Sequence, residues 1–330
     1  MAFQLTGNTV ISDSKILSTK TLQVNNDNGV IEILDTSPMV GLIAGYTSSG
    51  ITSPGAGSSV IDKFPFATDT NATQIGSLTV ARRGPAGQSS TINGYTSGGQ
   101  YGNTIDKFPF AINNNATDVG NLTQRRQYGA GQSSSTFGYT SGGYFAPPGT
   151  SLNTIDKFSF AGDSNASDVG DLTQTRYAGA GQSSATDGFT SGGRLRTAGG
   201  PSTDYNVIDR FSFSTDNNAS DVGDLTAAIA YAAGQSSTTH GYRSGGLPYV
   251  NTIDKFLFST SANATDVGDL PVARGTVAGQ SSVSSGYVSG GETPVAYTNA
   301  VSKFPFATDT NATAVGSLSQ SRAEPTGQQD

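Results

Sequence analysis

The chain has 330 residues, of which 43 are glycine, 13% are charged and 34% are hydrophobic. Glycine and the hydrophobic residues together reach the ordinary share of a globular protein, about 45–50%, which argues against wholesale disorder. The absence of cysteine excludes disulfides and thiolate chemistry, a single histidine excludes histidine-cluster metal sites, and a net charge of -7 disfavours nucleic acid as a partner.

In chain order, residues 1–36 come first and share no motif with the remainder of the chain. Met1–Val10 lacks the basic and apolar blocks of a signal peptide, and no run approaches 18 apolar residues, so a soluble chain is expected. Thr21–Val24 and Val30–Leu34 read as two strands around the turn at Asn25–Gly29. Two readings of this extension stand side by side: an attachment segment, or a strand pair lying over the rest of the fold.

From residue 37 onward the chain repeats. Ile-Asp-Lys-Phe or a close variant starts at Ile61, Ile105, Ile155, Ile208, Ile253 and Val301, and a Gly-Gln pair follows 26 residues later every time, at Gly87, Gly131, Gly181, Gly234, Gly279 and Gly327. A Gly-Gly pair follows 11 residues after that, at Gly98, Gly142, Gly192, Gly245 and Gly290. The step from Gly-Gly to the next copy varies from 7 to 16 residues. Each copy is therefore a block of fixed length followed by one elastic loop.

The first complete block reads as four short strands, roughly Val60–Ala67, Ile75–Val80, Ala86–Thr91 and Gly94–Gly98, separated by Asn, Asp, Ser and Gly clusters. No stretch keeps a helical period. Four strands per copy with glycine pairs predict an all-β, six-bladed β-propeller over residues 37–330. The last copy lacks its Gly-Tyr/Gly-Gly strand, and an orphan version of it stands at Gly45–Gly50, so strands from both ends are expected to close the ring, the last residues beside Pro38–Leu42 or in place of part of that strand.

These blocks resemble the kelch repeat family: Gly94–Gly99, Ile61–Phe66 and Arg82 before the Gly-Gln strand follow its order. The resemblance covers residues 37–330 and implies a kelch-like propeller. Kelch units usually carry an outer-strand Trp, and this chain has none; Ile75, Val119, Val169, Val222, Val267 and Val315 sit near that place.

Twelve of the 16 phenylalanines form Phe-x-Phe pairs, from Phe64/Phe66 to Phe304/Phe306. Residues two apart share one strand face, so each pair is expected to wedge against a neighbouring blade. Gln88, Gln132, Gln182, Gln235, Gln280 and Gln328 lie on the expected innermost strand and read as the lining of a narrow, wet channel. Asn-Ala-Thr/Ser at Asn71, Asn115, Asn165, Asn218, Asn263 and Asn311 reads as a hairpin turn in which Asn caps its own backbone. Arg82, Arg126, Arg176, Arg274 and Arg322 form a series broken by Ile229, and Asp62, Asp106, Asp156, Asp209 and Asp254 form one broken by Ser302. No same-copy or adjacent-copy rule reconciles both gaps, so the arginines read as structural braces without named partners.

Near-identical copies leave few one-off residues for chemistry. His240 sits at a turn tip, Asp-Val-Gly-Asp offers too few oxygens for Ca²⁺, and no Asp-box ending in Trp exists, so neither an enzyme, a metal nor a cofactor is expected. With the Gly-Gln strand innermost, elastic loops and Arg-bearing crossovers share one face. That face collects Tyr101, Tyr144, Phe145, Arg194, Arg196, Tyr205, Tyr249 and Tyr297 as candidate ligand-binding residues; with Arg83, Arg125 and the series of five it holds nine arginines. The opposite face collects aspartates, so an electrically two-sided disc is expected.

The copies also resemble repeats in structural proteins of marine bacteriophages, particularly cyanophages. That resemblance implies a virion component such as a tail fibre, receptor-binding tip or decoration protein, multimeric in the particle, contacting other virion proteins (residues 1–36 being one route) and a host-surface glycan. A kelch-like intracellular adaptor is the competing reading, and a glycan-degrading enzyme a third.

Overall fold

A computed structural model describes residues 43–53, 55–100, 102–196 and 200–330. The chain divides between Ser37 and Pro38; the N-terminal hairpin expected at Thr21–Leu34 lies outside the described residues. The described part is all β: six antiparallel four-stranded blades form a six-bladed β-propeller.

Blade 2 shows the pattern. From the axis outward it runs Ala86–Ser89, Asn93–Ser97, Thr104–Pro109 and Thr117–Asn121, each strand antiparallel to the last. Blade 3 lengthens the two middle strands to Phe137–Phe145 and Thr150–Ser159. Blades 4, 5 and 6 begin at Ala180–Ser183, Ala233–Ser236 and Ala278–Ser281. Blade 1 is completed from both ends: its innermost strand, Thr326–Gln329, pairs with Ala44–Ser48 from Ser48↔Thr326 to Gly45↔Gln329. The orphan strand itself is thus a closing partner, because the terminal strand must fill the inner position that Ala86–Ser89 fills in blade 2; the expected Pro38–Leu42 lies outside the described residues.

Every blade hands the same contacts to the next. The first is aromatic: Tyr46 stacks on Phe110 of blade 2 at 4.6 Å between centroids, Tyr95 on Phe160, Tyr139 on Phe213, Phe189 on Phe258, Tyr242 on Phe306, and Tyr287 returns to Phe66 of blade 1 at 4.6 Å. The Phe-x-Phe wedges are therefore real, and each grips one ring of the preceding blade. Within its own blade the first Phe of each pair covers a glycine: a Cβ on Gly94 would lie 2.3 Å from the Phe108 ring. Offset and edge-on ring pairs of this kind contribute about 0.5–1.5 kcal/mol beyond area burial.

A second hand-off is ionic and corrects the sequence reading. Arg82 pairs with Asp106 of the next blade at 2.8 Å, Arg126 with Asp156 at 2.9 Å, Arg176 with Asp209, and Arg322 with Asp62 at 3.0 Å, all fully buried. The rule is adjacent-blade after all. Where Ile229 breaks the arginine series, Arg243, standing in the Gly-Tyr strand where Thr96 stands in blade 2, neutralises Asp254 at 2.5 Å. Where Ser302 breaks the aspartate series, Arg274 keeps Ser302 Oγ at 2.9 Å and the carbonyls of Val288 and Ala300. The aspartates also accept from a threonine of the preceding blade (Ser319 for Asp62), as Asp106 does from Thr79 N–H and Oγ1 at 2.9 and 2.6 Å. Opposite Ser302 that position is Pro271, which offers neither donor.

Glutamine and asparagine turn out to be fasteners as well. Gln88 donates to the Tyr139 carbonyl at 2.9 Å, and five equivalents repeat this around the ring to Gln328 on Tyr95. All six glutamines are buried with their amides engaged by the next blade, and Gln88, Gln132, Gln182 and Gln235 still border an axial cavity of about 60 Å³; glycine makes the closest approach at the axis, where a Cβ on Gly131 would lie 2.1 Å from Gly87 O. Asn115 Oδ1 accepts from Ser77 N–H of the preceding blade at 3.0 Å while Ala116 N–H donates to the Ser77 carbonyl at 2.9 Å. The Asn-Ala step thereby caps its neighbour's backbone, not its own, in all six copies.

Candidate functional site

The face that carries the elastic loops also carries the crossovers between blades, as expected: Gln127 bridges Tyr144, Tyr177 bridges Arg194, and Gly275 bridges Glu292. At its centre six crossover residues, Gly84, Tyr128, Ala178, Tyr231, Thr276 and Glu324, adopt left-handed φ values of 53–61°. The N–H of each donates to the carbonyl of the preceding one, and Gly84 N–H to Glu324 O, closing a hydrogen-bonded collar with distances of 2.5–3.0 Å. Five of these residues carry a Cβ, and such strain persists only where surroundings impose it. The collar rims an axial cavity of about 120 Å³, lined by the six collar residues and, deeper, mainly by glycine and alanine of the inner strands. Drug-sized ligands occupy roughly 300–1,000 Å³, so the axis offers room for a few waters.

The collar repeats in backbone but not in side chains. Tyr128, Tyr177 and Tyr231 pack together with centroids 5.3–6.0 Å apart, and Tyr144 adds a fourth ring 5.1 Å from Tyr177. Burial raises the Tyr128 and Tyr231 phenols well above their ordinary range, so both are neutral donors. Tyr128 donates to Glu324 Oε2 at 2.8 Å, with Arg83 at 3.7 Å from the same oxygen. Burial pushes the Glu324 carboxyl upward, and the Tyr128 and Arg83 contacts oppose that shift.

Outward from this cluster the two longest elastic loops join. The blade 3 hairpin extends past a bulge at Ser141/Gly143 to Phe145↔Thr150, and the blade 4 loop forms its own ribbon, Arg194–Leu195 with Thr203–Asp204. Arg196 N–H donates to Ser151 Oγ at 2.8 Å and Ser151 N–H to the Arg196 carbonyl at 3.3 Å, so the two make one ridge. Along it Arg194 forms a two-pronged pair with Asp204 at 2.5 and 3.0 Å and lies over Tyr231, exposed Arg196 lies 5.8 Å over Tyr144, and exposed Arg125 lies 5.0 Å over Phe145.

The structure thus brings Tyr144, Phe145, Arg194 and Arg196 together. Tyr205 stays beside them through backbone hydrogen bonds to Gly193 and Ile229, whereas Tyr249 lies apart, exposed and beside Glu292, which also bridges Tyr297. Tyr101 lies outside the described residues. Five of the nine arginines expected on this face (Arg82, Arg126, Arg176, Arg274 and Arg322) are instead buried between blades, because their guanidinium groups reach inward to a neighbour's carboxylate or carbonyls. Arg83, Arg125, Arg194 and Arg196 remain against Asp204, Glu292 and Glu324, so the strongly cationic face expected from the sequence shrinks to a local patch. On the opposite face Asp69, Asp163, Asp216 and Asp309 each pair with a lysine of the preceding blade. Sequence reasoning missed Asp204, Glu292 and Glu324; the signal available was that each is an acidic one-off, the first two in elastic loops and the third at the crossover position held elsewhere by Gly84, Tyr128, Ala178, Tyr231 and Thr276. Among the described residues no group of three or more acidic or histidine side chains could hold a metal ion. Comparison with protein-family models and with curated proteins returns no match.

Proposed function

We propose that the protein is a non-enzymatic structural and adhesion module of a phage virion, presenting its variable-loop face to a host surface. The reading rests on the resemblance of the repeats to phage structural proteins and on one observation above all: the loops that vary in length and sequence share one face, where the two longest join in an aromatic ridge carrying Arg125, Arg194 and Arg196, while the strands of the blades repeat. A fixed scaffold with one variable rim suits recognition, since loops can change without altering the fold. Tyr and Arg on that rim supply amphipathic contact area and donors of the kind that dominate binding surfaces.

Mass spectrometry of purified particles tests the reading: the protein is expected among the structural components, and Tyr205→Ala or Arg196→Ala is expected to weaken attachment to host cells. Absence from particles, with capture of an intracellular partner peptide on the same face, favours the adaptor reading instead.

A further inference from the structure

The face opposite the elastic loops carries, in each blade, the turn between the first two strands and the turn between the last two. At one position beside the second strand, blades 3 to 6 have Thr136, Thr186, Thr239 and Ser284, whereas blades 1 and 2 have Ile43 and Ile92. In the second turn blade 2 alone has Ile112, against Thr68, Gly162, Thr215, Thr260 and Thr308. The fold does not require these isoleucines, since the other blades form with small polar residues or glycine. All three are more than half exposed, Ile43 at 52%, Ile92 at 66% and Ile112 at 60%. They also stand together. The Ile92 carbonyl accepts from Phe110 N–H at 3.0 Å, Ile112 follows Phe110 by two residues, and Tyr46, three residues after Ile43, stacks on the same Phe110. Exposed apolar side chains scattered singly mean little, but a contiguous group marks a contact surface.

The charges of this sector are one-off as well. Lys107, Lys157, Lys255 and Lys303 each meet an aspartate of the next blade, but Lys63 does not, because Asn113, next to Ile112, stands in the aspartate's place. Lys63 lies over the Tyr46 ring at 5.4 Å and forms no ion pair among the described residues. Asp118, near the start of the outermost strand of blade 2, is exposed and forms none either. An apolar centre flanked by one unpaired cation and one unpaired anion is self-complementary, as a two-fold contact between identical surfaces must be. Blades 3, 4 and 5 instead present exposed Asp168, Asp221 and Asp266, which form no ion pair among the described residues and repel a second copy there. We infer that blades 1 and 2 are the contact surface of a two-fold dimer of this chain, with the isoleucines of both copies packed at its centre and Lys63 of each copy facing Asp118 of the other. The apolar group is small beside the roughly 800 Å² per partner of a standard interface, so dissociation in the micromolar range is expected. The inference is independent of the adhesion reading; a dimer joined on this side leaves the elastic-loop faces of both copies free.

Sedimentation equilibrium of the purified full chain from about 1 to about 100 µM, with the melting temperature of each variant alongside, tests the assignment. A monomer–dimer equilibrium is expected. Ile92→Thr combined with Ile112→Thr, which installs the residue type of the other blades, is expected to weaken dimerisation roughly tenfold or more at unchanged melting temperature. Lys63→Glu and Asp118→Lys are each expected to weaken it, since each sets like charges face to face, and the two together to restore it by reversing both ion pairs. A chain that stays monomeric over the whole range, a dimer indifferent to the isoleucine changes, or a reversed pair that recovers nothing overturns the inference. So does a monomer whose melting temperature falls with Ile92→Thr and Ile112→Thr, because the patch is then covered within the chain itself.

Discussion

The Tyr287 ring stacks on Phe66 at 4.6 Å and 28°, and its hydroxyl donates to the Phe66 carbonyl at 3.3 Å, across the seam where the sixth blade meets the first. The same geometry joins Tyr46 to Phe110 at 4.6 Å and 28°. The seam therefore has the same aromatic grip as an interior joint. Tyr287→Ala and Tyr95→Ala are expected to cost similar amounts, about 3–5 kcal/mol each, by urea unfolding. A seam variant far milder than the interior one would contradict this.

The axis is built for glycine. A Cβ on Gly131 would lie 2.1 Å from Gly87 O, a backbone atom with no room to retreat, whereas Gly162 has nothing within 4 Å. Gly131→Ala is expected to abolish soluble, folded protein, and Gly162→Ala to leave the melting temperature unchanged or slightly raised. The soluble yield on expression checks the first, and thermal circular dichroism of purified Gly162→Ala the second.

Asp254 is fully buried and has one cationic partner, Arg243, because Ile229 occupies the usual arginine position. Arg243→Thr leaves that carboxylate uncompensated and is expected to cost about 3–5 kcal/mol. Adding Ile229→Arg restores the arrangement of the other blades and is expected to recover most of the loss. A double-mutant cycle with no coupling would show that the adjacent-blade rule has been misassigned.

Glu324 titrates above the ordinary carboxylate range in the folded protein because it is buried. Burial favours its neutral form more in the fold than in the unfolded chain, so its contribution to stability is full below the unfolded value of 4.5 and is lost as pH rises through the folded value. Glu324→Gln keeps the neutral shape, so its melting temperature relative to wild type is expected to rise between pH 4 and pH 7. A difference that stays flat over that range would argue that Tyr128 and Arg83 cancel the cost of burial.

Blade number, Phe-x-Phe wedges and the shared face of loops and crossovers were legible in the sequence because each follows from spacing alone. The arginine and aspartate pairing was hidden for a specific reason: the compensating residue, Arg243, stands two strands away from the gap at Ile229, outside both series. Which of Gly87 and Gln88 makes the closest approach at the axis was equally hidden, since alternation along a strand fixes two faces without saying which one the neighbouring blade will cover. Asn115 looked like a local cap because its true partner, Ser77, comes from the preceding blade, 38 residues away. At the ridge, Tyr144 and Arg196 could be placed on a rim but not beside each other, as their meeting depends on Ser151 joining two loops of unrelated length.

Closure by the terminal strand carries the whole arrangement, since Gly327, Gln328 and Gln329 complete the axial, glutamine and inner-strand contacts of the ring. Thermal unfolding of a chain ending at Pro325 tests it most directly. A melting temperature lower by roughly 10 °C or more, given about 2–4 °C per kcal/mol for a domain near this size, is the expected result; an unchanged transition would contradict a ring held shut by that strand.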